Sequence, residues 1–96
     1  MNYHQLTFEQ PDFERFPNLK LAFHAMNKGG NMPCIMNAAN EVVVEAFLKE
    51  KISFTAIPEL IEDVMLKASF ISKPTLEEYA VSDEESRNIA FELIKK

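Results

Sequence analysis

Few residues in this chain could do chemistry, and their spacing limits what that chemistry is. Two histidines, His4 and His24, and one cysteine, Cys34, stand well apart along the sequence. A metal site needs several converging ligands, and neither histidine shares a local motif with carboxylates. His24 therefore reads as a polar or half-buried helix position, and His4 as part of an N-terminal tail. Cys34 would act as a nucleophile only beside a histidine that lowers its pKa, and no such residue lies near it in sequence. It reads instead as a small, buried, apolar residue. The two glycines, Gly29 and Gly30, are adjacent. A phosphate or dinucleotide loop needs glycines at fixed intervals ahead of a helix, so neither loop can be built. The acidic pairs Glu62-Asp63 and Glu77-Glu78 read as solvated helix faces.

The most unusual segment is Asn37-Ala38-Ala39-Asn40-Glu41. On a helix, Asn37 and Glu41 lie one turn apart on one face, with Asn40 beside them. The small Ala38 and Ala39 would let another backbone approach closely. Such a cluster could form a polar ligand site. The plainer reading, a buried hydrogen-bond cluster that holds a neighbouring segment in register, is preferred, because polar groups on a helix packed all round must find partners. No residue is assigned as catalytic, cofactor-binding or metal-ligating.

The elements that would position these residues follow from periodicity. Residues 1–16 read as an extended lead-in: Leu6 and Phe8 alternate with Thr7 and Glu9, Pro11 breaks the pattern, and Phe13 and Phe16 follow in an acidic-aromatic turn. Residues 17–96 read as a helical domain. A first helix opens at Pro17, presents Leu19, Ala22, Phe23 and Met26 on one face, and stops at Gly29-Gly30. A second is capped by Asn31, with Pro33 in its first turn. Its stripe of Ile35, Ala38, Ala39, Val42, Val43, Ala46 and Phe47, widened by Met36, Val44 and Leu48, belongs at the centre of a bundle. Taken locally, Val42–Val44 also suits a buried strand.

A third helix carries Ile57, Leu60, Ile61, Val64, Met65 and Ala68 at helical intervals, with Pro58 in its first turn. Residues 69–74 read as a linker. Two T/S-x-x-E capping boxes follow. Thr75 to Glu78 predicts a short helix with Leu76 and Tyr79. Ser82 to Glu85 predicts a separate last helix, with Ile89, Ala90, Leu93 and Ile94 on its apolar face and acidic and basic ends matching the helix dipole. Fold class is therefore all-α: a compact, four-helix-type bundle with an extended N-terminal lead-in.

Composition excludes several functions. The chain has 96 residues, enough for one domain with a single core but little room for an enclosed active site. Eight Phe and five Met can fill that core without disulfides. The net charge is −5 and the basic residues are scattered, so nucleic acid is not an expected partner. No apolar run approaches the ~20 residues that span a bilayer, so no membrane role is expected. The N-terminus lacks the basic and apolar regions of a signal peptide, and a single cysteine suits a reducing compartment. The expected location is the cytoplasm.

Several segments, in this order and spacing, resemble a known family: Pro11-Asp12-Phe13-Glu14-Arg15-Phe16-Pro17, Leu19 to Ala22, Gly30, Asn37 to Glu41, Ala46-Phe47-Leu48 and Ile52-Ser53-Phe54, preceded by Leu6-Thr7-Phe8. From about Leu6 to Leu93 the chain is similar to the C-terminal region of 1-deoxy-D-xylulose 5-phosphate reductoisomerase. The resemblance implies a parent enzyme with an NADPH-binding domain, a central catalytic domain that holds substrate, a divalent metal (Mg²⁺ or Mn²⁺) and the homodimer contact, and a C-terminal helical bundle. That enzyme rearranges and reduces 1-deoxy-D-xylulose 5-phosphate to 2-C-methyl-D-erythritol 4-phosphate, a step of non-mevalonate isoprenoid biosynthesis. The family's nucleotide-binding glycines and metal-binding carboxylates belong to the first two domains, and no position here matches them. The chain is thus expected to be part of a longer protein, without cofactor or catalysis of its own.

Three functions remain in competition. The first is a non-catalytic structural domain that packs against the catalytic domain of the same polypeptide and positions it; its isolated form would expose an orphaned interface and so could self-associate. The second is a free-standing helical module that binds a partner protein, with Phe13 and Phe16 in an aromatic patch. The third is a small ligand site built on Asn37, Asn40 and Glu41.

Overall fold

Proline and glycine punctuate the first half of the chain, and the helices sit between them. The computed structural model describes residues 17–95, which form α1 (Pro17–Lys28), α2 (Met32–Leu48), α3 (Ala56–Lys67) and α4 (Leu76–Lys95). The strand-like Leu6–Phe8 stretch, the acidic-aromatic turn, His4 and the lead-in up to residue 16 lie outside the described residues, as does Lys96. Among the described residues every regular element is a helix, as the apolar spacing predicts. None of these helices is long and apolar enough to cross a membrane.

Pro17 is the first residue of α1, where its missing N–H leaves no broken bond. The helix ends at Gly29 and Gly30, both in the left-handed region at φ 71° and 57°. Gly30 is needed for a second reason. A Cβ there would collide with the carbonyl oxygen of Ile71 and stand 2.9 Å from Ser72 Cα. The turn therefore brings the start of α2 against the segment between α3 and α4.

α2 is the central element. It packs most extensively on α4 and α3, and also on α1; α3 in turn touches α1 and α4. Ile35, Ala38, Ala39, Val42, Val43 and Ala46 are buried, so Val42–Val44 lies in a helix and not in a strand. Each valine costs a few tenths of a kcal/mol in helix propensity, against roughly 1.5–3 kcal/mol gained when such a side chain leaves water. α3 contributes Ile57, Ile61, Val64 and Met65, with Ala68 at its C-cap, as its spacing predicts. The face that α4 buries is made of the small residues Ser82, Ser86 and Ala90, one turn apart.

Two expectations fail in their details. The core-facing side of α1 is Leu21 and Ala25, whereas Leu19, Phe23 and Met26 of the predicted face are 38%, 43% and 73% exposed. α1 carries apolar residues on two sides, and the side with the small Ala25 is the one that docks on the bundle. The second failure is the split of the last segment, since Leu76–Lys95 is one continuous helix. The Thr75 box does form: the Thr75 N–H donates to Glu78 Oε1 at 2.9 Å and the Glu78 N–H to Thr75 Oγ1 at 3.1 Å. The Ser82 box does not, because both of its side chains are engaged elsewhere.

Candidate functional site

The buried polar centre of the molecule is Asn31, not the Asn37–Glu41 segment. Asn31 is fully buried at the head of α2 and makes no side-chain cap. Its amide nitrogen donates to the Ser69 carbonyl at 2.9 Å and to Ser82 Oγ at 2.7 Å. Its Oδ1 accepts the Ile71 N–H at 2.8 Å, and its own backbone N–H donates to the Ile71 carbonyl at 3.0 Å. One side chain thus ties α2 to the α3–α4 connection and to the middle of α4. Glu85 closes the same connection from the other side, with Oε1 accepting the Ser69 N–H at 3.0 Å and Oε2 accepting the Ser69 hydroxyl at 3.3 Å. Ser82 and Glu85 of the expected second capping box are therefore tertiary ties. The sequence predicts a local cap at Asn31, and the structure makes it a tertiary tie instead. The one local signal is a polar residue directly after two adjacent glycines.

The Asn37–Glu41 segment corrects another expectation. Asn37 and Glu41 are exposed and Asn40 is half-buried, so they do not form a buried cluster. The wide apolar side of α2 is satisfied by packing, and these polar residues sit on the remaining outer strip. Asn37 Nδ2 reaches Glu41 Oε2 at 3.5 Å, and Glu41 Oε1 accepts from Arg87 of α4 at 2.8 Å. Arg87 Nε also donates to Asp83 Oδ2 at 2.9 Å. The hydrogen bonds from Asp83 and then Glu41 hold the guanidinium even more firmly protonated than usual. With two carboxylates on it, Arg87 acts as a strap between α2 and α4 and is not a vacant anion site. Ala38 and Ala39 are buried, in keeping with close helix approach.

Cys34 is half-buried beside this strap, with its thiol directed at the Tyr79 carbonyl at 3.6 Å. Burial pushes its pKa up; Asp83 adds to the rise and Arg87 opposes it. A nucleophilic cysteine needs the opposite shift. His24, Glu62 and Asp63 are exposed, and Glu78 serves as the helix cap. A surface depression lined by Lys67, Glu84, Glu85, Phe91, Glu92 and Lys95 mixes both charge signs.

The described residues do not fit a resident metal or dinucleotide. Among them, no three His, Cys, Asp or Glu side chains converge on a point that could hold a metal ion. The glycine turn ahead of α2 is filled by the Ile71 backbone, and the Asn31 and Met32 N–H groups already donate to the Ile71 and Gly29 carbonyls at 3.0 Å each. No open cradle for a pyrophosphate is left there.

Comparison with known proteins agrees with this architecture. The family described as DXP reductoisomerase C-terminal domain matches residues 1–89. The chain is 57% identical over 91 residues to 1-deoxy-D-xylulose 5-phosphate reductoisomerase of Bacteroides fragilis, covering 95% of this chain and 24% of that protein. Against the Nitrosomonas eutropha enzyme of the same name it is 54% identical over 86 residues, covering 90% of this chain and 21% of the relative. Among solved structures it resembles 1-deoxy-D-xylulose 5-phosphate reductoisomerase from Zymomonas mobilis in complex with NADPH, at 37% identity and a TM-score of 0.83, over 100% of this chain and 26% of that one. The chain therefore spans about a quarter of the length of the curated relatives it matches.

Proposed function

Because this chain belongs to the DXP reductoisomerase C-terminal domain family, we propose that it is the non-catalytic helical domain of an NADPH-dependent 1-deoxy-D-xylulose 5-phosphate reductoisomerase. Its role is to pack against the catalytic domain of the same polypeptide and hold it in position. The substrate, NADPH, a divalent metal and the homodimer contact all belong to domains outside this chain. The single cysteine, which has no partner for an internal disulfide, is compatible with a cytoplasmic enzyme. The observation that carries this reading is the family match along nearly the whole chain, laid over a fold whose polar groups are engaged in joining its own helices.

A scaffold of this kind acts by restricting motion. Asn31, Glu85 and Arg87 fix α4 and the α3–α4 connection on α2, so these elements are held as one rigid unit. Rigid placement of a catalytic domain matters because misplacement of about 1 Å can cost on the order of 100-fold in rate.

Two measurements test the proposal together. The chain alone, mixed with 1-deoxy-D-xylulose 5-phosphate, NADPH and Mn²⁺, is expected to give no NADPH oxidation. The same chain, fused in place of the matching quarter of the Bacteroides fragilis enzyme, is expected to give a protein that does oxidise NADPH. Turnover by the chain alone would remove the non-catalytic reading. A folded fusion with no activity would remove the positioning role.

A further inference from the structure

We infer that the outward face of α1, formed by Leu19, Phe23 and Met26, is the surface on which the preceding domain of the same enzyme docks, through an apolar patch of its own. This rests on the functional reading above and adds the face that makes the contact. Leu19, Phe23 and Met26 recur at i, i+4 and i+7, so they form one stripe, on the side of the helix opposite Leu21 and Ala25. They are 38%, 43% and 73% exposed. A contiguous apolar stripe on an outer helix face marks an interaction site more than scattered exposed residues do.

Phe54 packs edge-on against Phe47 and Phe70 lies under Lys28, while most exposed apolar residues of the other helices lie among carboxylates. Leu48 sits one and two turns after Glu45 and Glu41, Leu66 follows Glu62 and Asp63, and Val81 lies between Glu77 and Glu84. Burying any of these would bury an acid as well. The α1 sequence has no acidic residue at all; its ionisable residues are Lys20, His24 and Lys28. In a chain of net charge −5, this is the helix that can be covered without stripping water from carboxylates.

The occupant follows from chain length and direction. This chain covers 24% of the Bacteroides fragilis relative, and the family it belongs to is a C-terminal domain, so most of such an enzyme precedes α1. That polypeptide enters the described residues at Pro17, the first residue of α1. The helix at the point of entry lies nearest in sequence to the domain before it.

Peroxide oxidation of Met26, read by peptide mass spectrometry, tests this in two proteins: the free chain and the fusion with the upstream part of the Bacteroides fragilis enzyme. Met32 and Met65, at 3% and 6% exposure, are internal standards protected in both. Met26 is expected to oxidise rapidly in the free chain and about tenfold or more slowly in the fusion. The double variant Leu19→Asp, Met26→Asp is expected to lower the melting temperature of the fusion while leaving that of the free chain nearly unchanged. An active fusion in which Met26 oxidises as fast as in the free chain overturns the assignment of this face and leaves the functional reading standing. Slow oxidation already in a monomeric free chain assigns the stripe to residues 1–16, and slow oxidation in a dimeric one assigns it to a second copy; either result overturns the inference. A fusion that melts as two independent units without NADPH oxidation overturns the functional reading, and this inference with it.

Discussion

At the scale of single residues, stability is concentrated in side chains that join distant segments. Asn31→Ala strips the Ile71 N–H, the Ser69 carbonyl and Ser82 Oγ of a partner at once, in a fully buried setting. Unmet polar groups cost more than a made hydrogen bond contributes, so the substitution is expected to destabilise by about 2–4 kcal/mol. Asn40→Ala, on the outer strip of α2, is expected to stay within about 0.5 kcal/mol. Urea unfolding of both variants checks the contrast, and equal losses would return the polar centre to the Asn37–Glu41 segment. Ser86 Oγ is buried with no hydrogen-bond partner among the described residues. Cys34 gives a pH-dependent signature. Its pKa is raised in the folded chain, so folding favours the thiol over the thiolate. That contribution is complete below the thiol's ordinary pKa and is lost as pH rises toward the folded value. Alkylation of Cys34 by iodoacetamide at pH 8 is accordingly expected to be slower in the folded chain than in urea, and faster reaction in the folded chain would contradict the raised pKa.

At the scale of elements, the sequence states helix positions well and helix environments less well. Pro17, the two glycines and the 3-and-4 spacing of α2 and α3 are local signals, and local signals set where a helix starts, stops and turns its widest apolar side. The buried side of α1 is not local. Two apolar sides are available, and the choice depends on which one fits the bundle at Ala25. The polar Asn37–Glu41 segment stands out in the sequence, but its partner does not, because Arg87 reaches Glu41 from α4 and that contact is not local. The split of α4 fails for a related reason: a serine three residues before a glutamate is a cap only when those side chains have nothing better to bond. Here Asn31 takes Ser82 and Ser69 takes Glu85. Proline distinguishes the two arrangements. If a helix began at Ser82, Asp83→Pro would sit in the first helical position and be tolerated. In the middle of a continuous α4 it is expected to cost about 3 kcal/mol or more beyond Asp83→Ala, the control for the lost Arg87 contact. Thermal unfolding by circular dichroism reads the difference, and equal melting temperatures would restore the break.

At the scale of the whole molecule, the four helices are not held equally. Among the described residues, α2 has neighbours in all three other helices, whereas α1 packs on α2 and α3 and buries Leu21 and Ala25. The two polar ties through Asn31 and through Glu41 and Arg87 join α2 to α4, whereas α1 is held, beyond its packing, by Lys28 over the Phe70 ring at 4.6 Å. Among the described residues α1 is therefore the least tied helix, and stability is expected to be graded from the centre outward. Native-state hydrogen exchange reports this grading directly. In the free chain, amides of Val42 and Val43 are expected to exchange only on global unfolding, while amides of Leu21 to Ala25 exchange through a smaller opening, with protection roughly 10–100-fold lower. Urea should leave the α1 rates nearly flat at low concentration, since detaching one 12-residue helix exposes little surface. Uniform protection across α1 and α2 would show that the bundle opens as one unit and that α1 is integral to it. If a neighbouring domain covers Leu19 and Met26 in the complete enzyme, the same amides gain protection there toward the level of α2. The least tied helix of the isolated bundle would then be stabilised by that contact.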